Sequence, residues 1–112
     1  MAKESYTLWV TGGNPYAGRA ALNLGLMNLY DPEKKDEAKG FTFLRKSYKM
    51  AKANGDRELE LDASWHLVRI GFNYRGKLIG NPEIRRHINN VIRLGSEEMA
   101  KEAKGILMQL RR

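Results

Sequence analysis

The stretch Ala20–Tyr30, AALNLGLMNLY, decides how the rest of this chain is read, because two later stretches echo it. ASWHLVRIGF starts at Ala63 and AKEAKGILMQL at Ala100, each opening on alanine with apolar or small residues at matching helical offsets. The starts lie 43 and then 37 residues apart, within the range of roughly 20 to 50 residues in which solenoid repeats recur. The recurrence predicts an all-α protein made of stacked helices, with Gly25 and Gly105 holding related places in the first and third copies.

Helix starts are marked in two ways. Each of the three prolines follows a capping residue, as Asn14-Pro15, Asp31-Pro32 and Asn81-Pro82; Asn or Asp accepts a bond from an orphan amide, and proline tolerates the first helical position because its missing N–H has no partner there anyway. Asp56 after Asn54-Gly55, and Ser96 after Gly95, read as a stop followed by a cap. These signals predict five helices near 15–30, 32–53, 57–73, 82–94 and 96–111. The very short links after the first, second and fourth fold neighbours back as antiparallel hairpins. Only 74–81, YRGKLIGN, is a long link. Residues 5–11, SYTLWVT, are β-branched and aromatic and predict a short extended segment.

The first helix carries apolar residues on more than one stripe, with Leu22, Leu26 and Leu29 on one and Ala17, Ala21 and Leu24 on another. A helix apolar almost all round is buried on both sides and reads as an inner helix. The second is amphipathic, with Phe41, Leu44 and Tyr48 on one face and lysines elsewhere, and the fourth repeats this with Ile84, Ile88, Val91 and Ile92. Both read as outer helices.

With that alternation in place, AALNLGLMNLY followed by EAKGFTFLRKSYKMA resembles the Sel-like repeat, a branch of the tetratricopeptide (TPR) superfamily. Ala20, Leu24 and Gly25 fit its first helix, A-x-x-x-L-G-x-x-Y, although Asn28 stands at the tyrosine position. Lys39, Gly40, Phe43 and Lys46 fit its second, with Gly40 and Phe43 replacing alanine and tryptophan. Val68 takes the close-packing glycine's place in the second copy, and the third keeps Gly105 but ends after one helix. The resemblance implies five antiparallel helices stacked as a short right-handed α-solenoid. Its parts are an extended segment at 1–13, one repeat at 14–54, a degenerate repeat at 56–95 and a capping helix at 96–112, whose Lys101, Glu102 and Lys104 would solvate the open end. A plain five-helix bundle is the alternative.

Bulk composition narrows the function. At 112 residues, 42% hydrophobic and 29% charged, the chain is expected to form one soluble globular domain. It has no cysteine, hence no disulfide and no thiolate metal site. MAKESYTLWVTGG lacks the apolar core of a signal peptide, and no window is apolar enough for a membrane helix, so a cytoplasmic protein with no membrane association is expected. The net charge of +7 invites a nucleic-acid reading, but acids gather at predicted helix starts and bases near their ends, where they complement the helix dipole. What remains in excess is Arg45, Lys46, Lys49 and Lys52, with Arg85 and Arg86 on the later equivalent segment. These six read as a solvated outer face, with phosphate binding as the alternative.

Catalytic signatures are sparse. VTGGNPYAG, at 10–18, imitates a phosphate loop, but Pro15 removes an amide where phosphate would sit and no second parallel strand follows. His66 and His87 have no second ligand at metal spacing, and no serine lies in a G-x-S-x-G elbow. The expectation is a non-enzymatic module with no cofactor and no metal.

In the tetratricopeptide superfamily the inner helices line a concave groove, and the resemblance implies the same here. It places Arg19, Leu22, Leu26 and Tyr30 of the first helix there, with Trp65, Arg69, Phe72 and Asn73 of the third. Aromatics and arginines among aliphatic residues are the composition of a protein-binding hot spot; core roles for Trp65 and Phe72 are the alternative. The expected activity is that of an adaptor or regulator binding a protein or peptide. A nucleic-acid partner for the basic helix and a homodimer are the alternatives, and the segment holding Tyr6 and Trp9 either masks the groove or swaps between chains.

Overall fold

A computed structural model describes residues 16–33 and 35–110. The protein is all-α, with helices α1 (Ala17–Tyr30), α2 (Glu37–Asn54), α3 (Arg57–Asn73), α4 (Asn81–Leu94) and α5 (Glu97–Leu110). Among the described residues there is no strand, only an isolated bridge between Arg75 and Ile79. The segment expected at 1–13 with Tyr6 and Trp9, the Asn14-Pro15 start, and Arg111 and Arg112 lie outside the described residues. By its contacts the chain divides inside α3, between Ala63 and Ser64, into two compact units.

In the first unit α1 and α2 pack antiparallel. Gly18 lies beside Ser47 and Met50 at one end of the seam, and Gly25 beside Gly40 and Leu44 further along. The backbones meet closely at the two glycines. A Cβ on Gly25 would stand 2.9 Å from the Gly40 carbonyl oxygen and 3.0 Å from Leu44 Cγ; one on Gly40 would stand 2.6 Å from Leu29 Cγ and 3.0 Å from the Gly25 carbonyl oxygen. The Ser47 hydroxyl donates to the Gly18 carbonyl at 2.7 Å, so the buried polar group in this seam is satisfied. Among the described residues, Phe41, Leu44, Tyr48 and Ala51 of α2, Leu59 and Ala63 of α3, and Ala17, Ala21, Leu22 and Leu29 of α1 are the unit's buried apolar residues.

The start of α2 differs from the expected one. The helix begins at Glu37, with extended Asp36 as its cap accepting the Lys39 amide at 3.1 Å, and not at Pro32. Proline pushes the residue before it out of the helical region. Asp31, at φ −76° and ψ 113°, accordingly closes α1 through its own amide to the Met27 carbonyl, while its carboxylate accepts the Glu33 amide in a local turn. The link is therefore six residues long, 31–36, and not a tight turn. The next stop is as read: Gly55, at φ 69°, closes α2 in the left-handed region that glycine tolerates, and Asp56 caps α3 by accepting the Leu59 amide at 3.1 Å.

In the second unit, the later turns of α3 are followed by a hydrogen-bonded loop in which the Gly76 amide reaches the Ile79 carbonyl at 2.8 Å. That loop buries Ile79 against Gly71. Gly80, not Asn81, is the cap of α4 and supplies no side-chain bond, with Pro82 in the first turn. Ser96 caps α5 by accepting the Met99 amide at 3.3 Å, and α4 and α5 pack on each other. Ile84, Ile88 and Val91 are fully buried. Gly105 departs from its counterpart Gly25, since it is exposed and a Cβ there would meet nothing within 4 Å among the described residues. Acids open α2 to α5 as expected, but a base stands in the last turn only of α2 (Lys52) and α4 (Arg93) among the described residues.

Candidate binding surfaces

On α1 the expected groove residues separate. Arg19 and Tyr30 are exposed and Leu26 is half-buried, but Leu22, at 6% exposure, belongs to the core and offers nothing to a partner. The glycines and alanines at 17, 18, 21 and 25 define the close-packed side of α1, and Leu22 falls beside them. The outward side is instead Tyr16, Arg19, Asn23, Met27 and Tyr30, all exposed and all within an arc of about 80° at 3.6 residues per turn. Tyr16, Met27 and Tyr30 are 71%, 54% and 65% exposed. The Arg19 guanidinium lies 3.7 Å from a Glu58 carboxylate oxygen and 3.9 Å from one of Asp62. Tyr16, Asn23 and Met27 were not singled out from sequence, though their spacing from Arg19 and Tyr30 carries the signal.

On α3, in the second unit, Trp65 and Phe72 are half-buried while Arg69 and Asn73 are exposed. Each ring carries a guanidinium: Arg69 lies 5.6 Å from the Trp65 centroid and Arg75 lies 4.6 Å from that of Phe72. Nothing in the local sequence singles out Arg75 for this role. Half-burial means that each ring contributes an edge to packing and keeps another edge for contact.

The basic residues divide likewise. Lys46, Lys49 and Lys52 are exposed on α2 and Arg45 is half-buried, while Arg85 and Arg86 are exposed on α4.

One internal cluster invites a catalytic reading. Ser64 Oγ lies 3.3 Å from His87 Nδ1, and His87 Nε2 lies 3.8 Å from Glu83 Oε2. Asn90 Nδ2 donates to Ser64 Oγ at 3.5 Å, and Arg93 donates to Asn90 Oδ1 at 3.0 Å. The order serine, histidine, carboxylate is that of an activated nucleophile. Access decides otherwise: Ser64 is fully buried in the middle of α3 and His87 is 2% exposed, so a substrate carbonyl has no route to the hydroxyl. The cluster is a polar core whose members satisfy one another. Among the described residues no group of three His, Cys, Asp or Glu could hold a metal ion, and no helix is long and apolar enough to cross a membrane.

Compared with protein-family models, curated proteins and solved structures, the chain matches none.

Proposed function

We propose that this protein is a small helical-repeat module of the Sel-like kind, without catalytic chemistry of its own, that works in the cytoplasm by binding a protein partner. The observation that carries this reading is the outer stripe of α1. Three large hydrophobic side chains, Tyr16, Met27 and Tyr30, stand more than half exposed on one face with Arg19 and Asn23 between them. Tyrosine, methionine and arginine are the residue types enriched where proteins meet. A helix that has already buried its small-residue side against α2 gains nothing for its own fold from such a face. The close approach of Gly25 and Gly40 supports the repeat reading, because a small residue at the helix crossing is what the Sel-like pattern requires.

The test is affinity capture from source-cell lysate with three forms of the chain: unaltered, Met27→Ala/Tyr30→Ala, and Trp65→Ala/Arg69→Ala. Loss of the captured protein with the α1 variant alone is expected, at an unchanged melting temperature. Equal recovery with all three forms rejects the α1 surface, and loss only with the α3 variant moves the site to Trp65 and Arg69. Light scattering on the same variants identifies a second copy as the partner if the unaltered chain is a dimer and Met27→Ala/Tyr30→Ala is a monomer.

A further inference from the structure

The outer face of α2 is strongly basic, with no acid on the helix to offset its later cations. Between Glu37 and Asp56 there is no acidic residue, while Lys39, Arg45, Lys46, Lys49 and Lys52 fall in that interval. The helix dipole favours cations only in the last turn, which holds Lys52 alone; Lys39 lies in the first turn, where a cation is disfavoured. None of the positions three or four residues from Arg45, Lys46 or Lys49 is acidic. Arg45 and Lys49 are four apart, and Lys46, Lys49 and Lys52 follow at intervals of three, so like charges adjoin along the helix and oppose its formation. An external anion would relieve that repulsion.

The arrangement also selects the anion. Phe41, Leu44, Tyr48 and Ala51 are buried, so the apolar side of α2 is committed to the hairpin and cannot enter a membrane. The outward side spans an arc of about 140° and, from Lys39 to Lys52, about 20 Å. Arg45 and Lys52 follow one edge of that arc, Lys39 and Lys46 follow the other, and Ala38, Thr42, Lys49 and Ala53 lie between them. Three of the cations are carried over rings of their own helix, Arg45 above Phe41 at 5.8 Å, Lys46 above Phe43 at 5.8 Å and Lys52 above Tyr48 at 5.7 Å, which holds them along the edges. No aromatic side chain is exposed on this face to stack on single-stranded bases. A helix with cations along both edges and, apart from Lys49, small residues between them suits the major groove of B-form DNA, which is about 12 Å wide and lined by phosphates on both sides. The major groove of duplex RNA is too narrow for it.

We infer that the outer face of α2 is a binding site for the phosphate backbone of duplex DNA, without base-specific contacts. The inference rests on a helix face separate from the α1 stripe, so either can fail while the other stands. The test follows the anisotropy of a labelled DNA duplex of mixed sequence as salt is raised. With three to five phosphates neutralised, the log–log slope of affinity against salt is expected between about −3 and −4.5. Lys46→Gln/Lys49→Gln should weaken binding at about 50 mM salt at least tenfold and make the slope shallower by about 2. Lys101→Gln/Lys104→Gln, which removes the same charge from exposed sites on α5, should leave both nearly unchanged, with helix content by circular dichroism the same in all three. Absence of binding at about 50 mM salt overturns the proposal. So does equal weakening by the two double variants, which would mean diffuse attraction by net charge. Equal affinity for duplex RNA or for vesicles of anionic lipid also overturns it, since the site would then not be shaped for DNA.

Discussion

Gly25 and Gly105 hold related places in the sequence echo, yet the α1–α2 hairpin and α5 use them in opposite ways. At Gly25 the backbone of α2 comes so close that a single carbon would press on the Gly40 carbonyl oxygen, whereas at Gly105 there is open space. The same letter therefore marks a close helix crossing in one region and an exposed position in mid-helix in the other. What separates them is the partner. Gly25 faces a second glycine, Gly40, and the two surrender their side chains together; Gly105 meets no such counterpart among the described residues. A recurring glycine signals close packing only where the helix it meets has a small residue at the matching height.

The largest expected effect breaks the first side of that comparison. Gly25→Leu would force its side chain into the Gly40 carbonyl and the Leu44 side chain. Because the obstructing atom is backbone and cannot rotate away, the loss should reach or exceed the upper end of the usual overpacking range, about 3 kcal/mol. Chemical denaturation of Gly25→Leu beside the unaltered chain measures it. A loss below about 1 kcal/mol would mean that α1 and α2 do not cross at these glycines.

A second substitution sharpens the comparison by locating where α2 begins, and hence how Gly40 is delivered to the crossing. Asp36 caps the helix through the Lys39 amide, while the Asp31 carboxylate accepts the Glu33 amide in a turn. Asp36→Ala should cost about 1 kcal/mol, as N-cap removals typically do, and Asp31→Ala should stay within about 0.5 kcal/mol. Reversal of that order in paired thermal melts would put the helix start back at Pro32.

That ambiguity also shows what the sequence could convey. Asp56 and Ser96 were legible as caps because each directly follows a glycine stop, and both form the expected bond three residues on. Asp31 and Asp36 are two acids five residues apart, both on extended backbone as a cap requires, so local chemistry leaves either plausible and the cap falls to Asp36 without a signal in the sequence. The outward face of α1 was hidden for a different reason. Leucines on several sides of the helix make every stripe a candidate for burial, and only the run of small residues at 17, 18, 21 and 25 reveals which side is pressed against a neighbour. Read from that side, Leu22 goes inward and Met27 outward. The buried pairing of Ser64 with His87, 23 residues away, has no local signature at all, because it depends on how α3 and α4 meet.

The smallest effect carries the opposite sign and tests the other half of the comparison. Gly105 is in the interior of α5, is exposed, and has a backbone angle outside the positive range reserved for glycine. An alanine there meets no atom of the described residues within 4 Å. Glycine in mid-helix leaves the unfolded chain more freedom to lose, so Gly105→Ala should stabilise the protein by about 0.5 to 1 kcal/mol, raising the melting temperature by about 2 to 4 °C for a chain of this size. Gly25→Ala, the same chemical change at the related position, should lower it, because the added carbon would sit 2.9 Å from a carbonyl oxygen. Opposite shifts in a pair of melts would show that the echo preserves a helical pattern without preserving a helix crossing. If Gly105→Ala also lowers the melting temperature, α5 must press on another surface at that glycine, and the third copy would then be a packing unit of the same kind as the first.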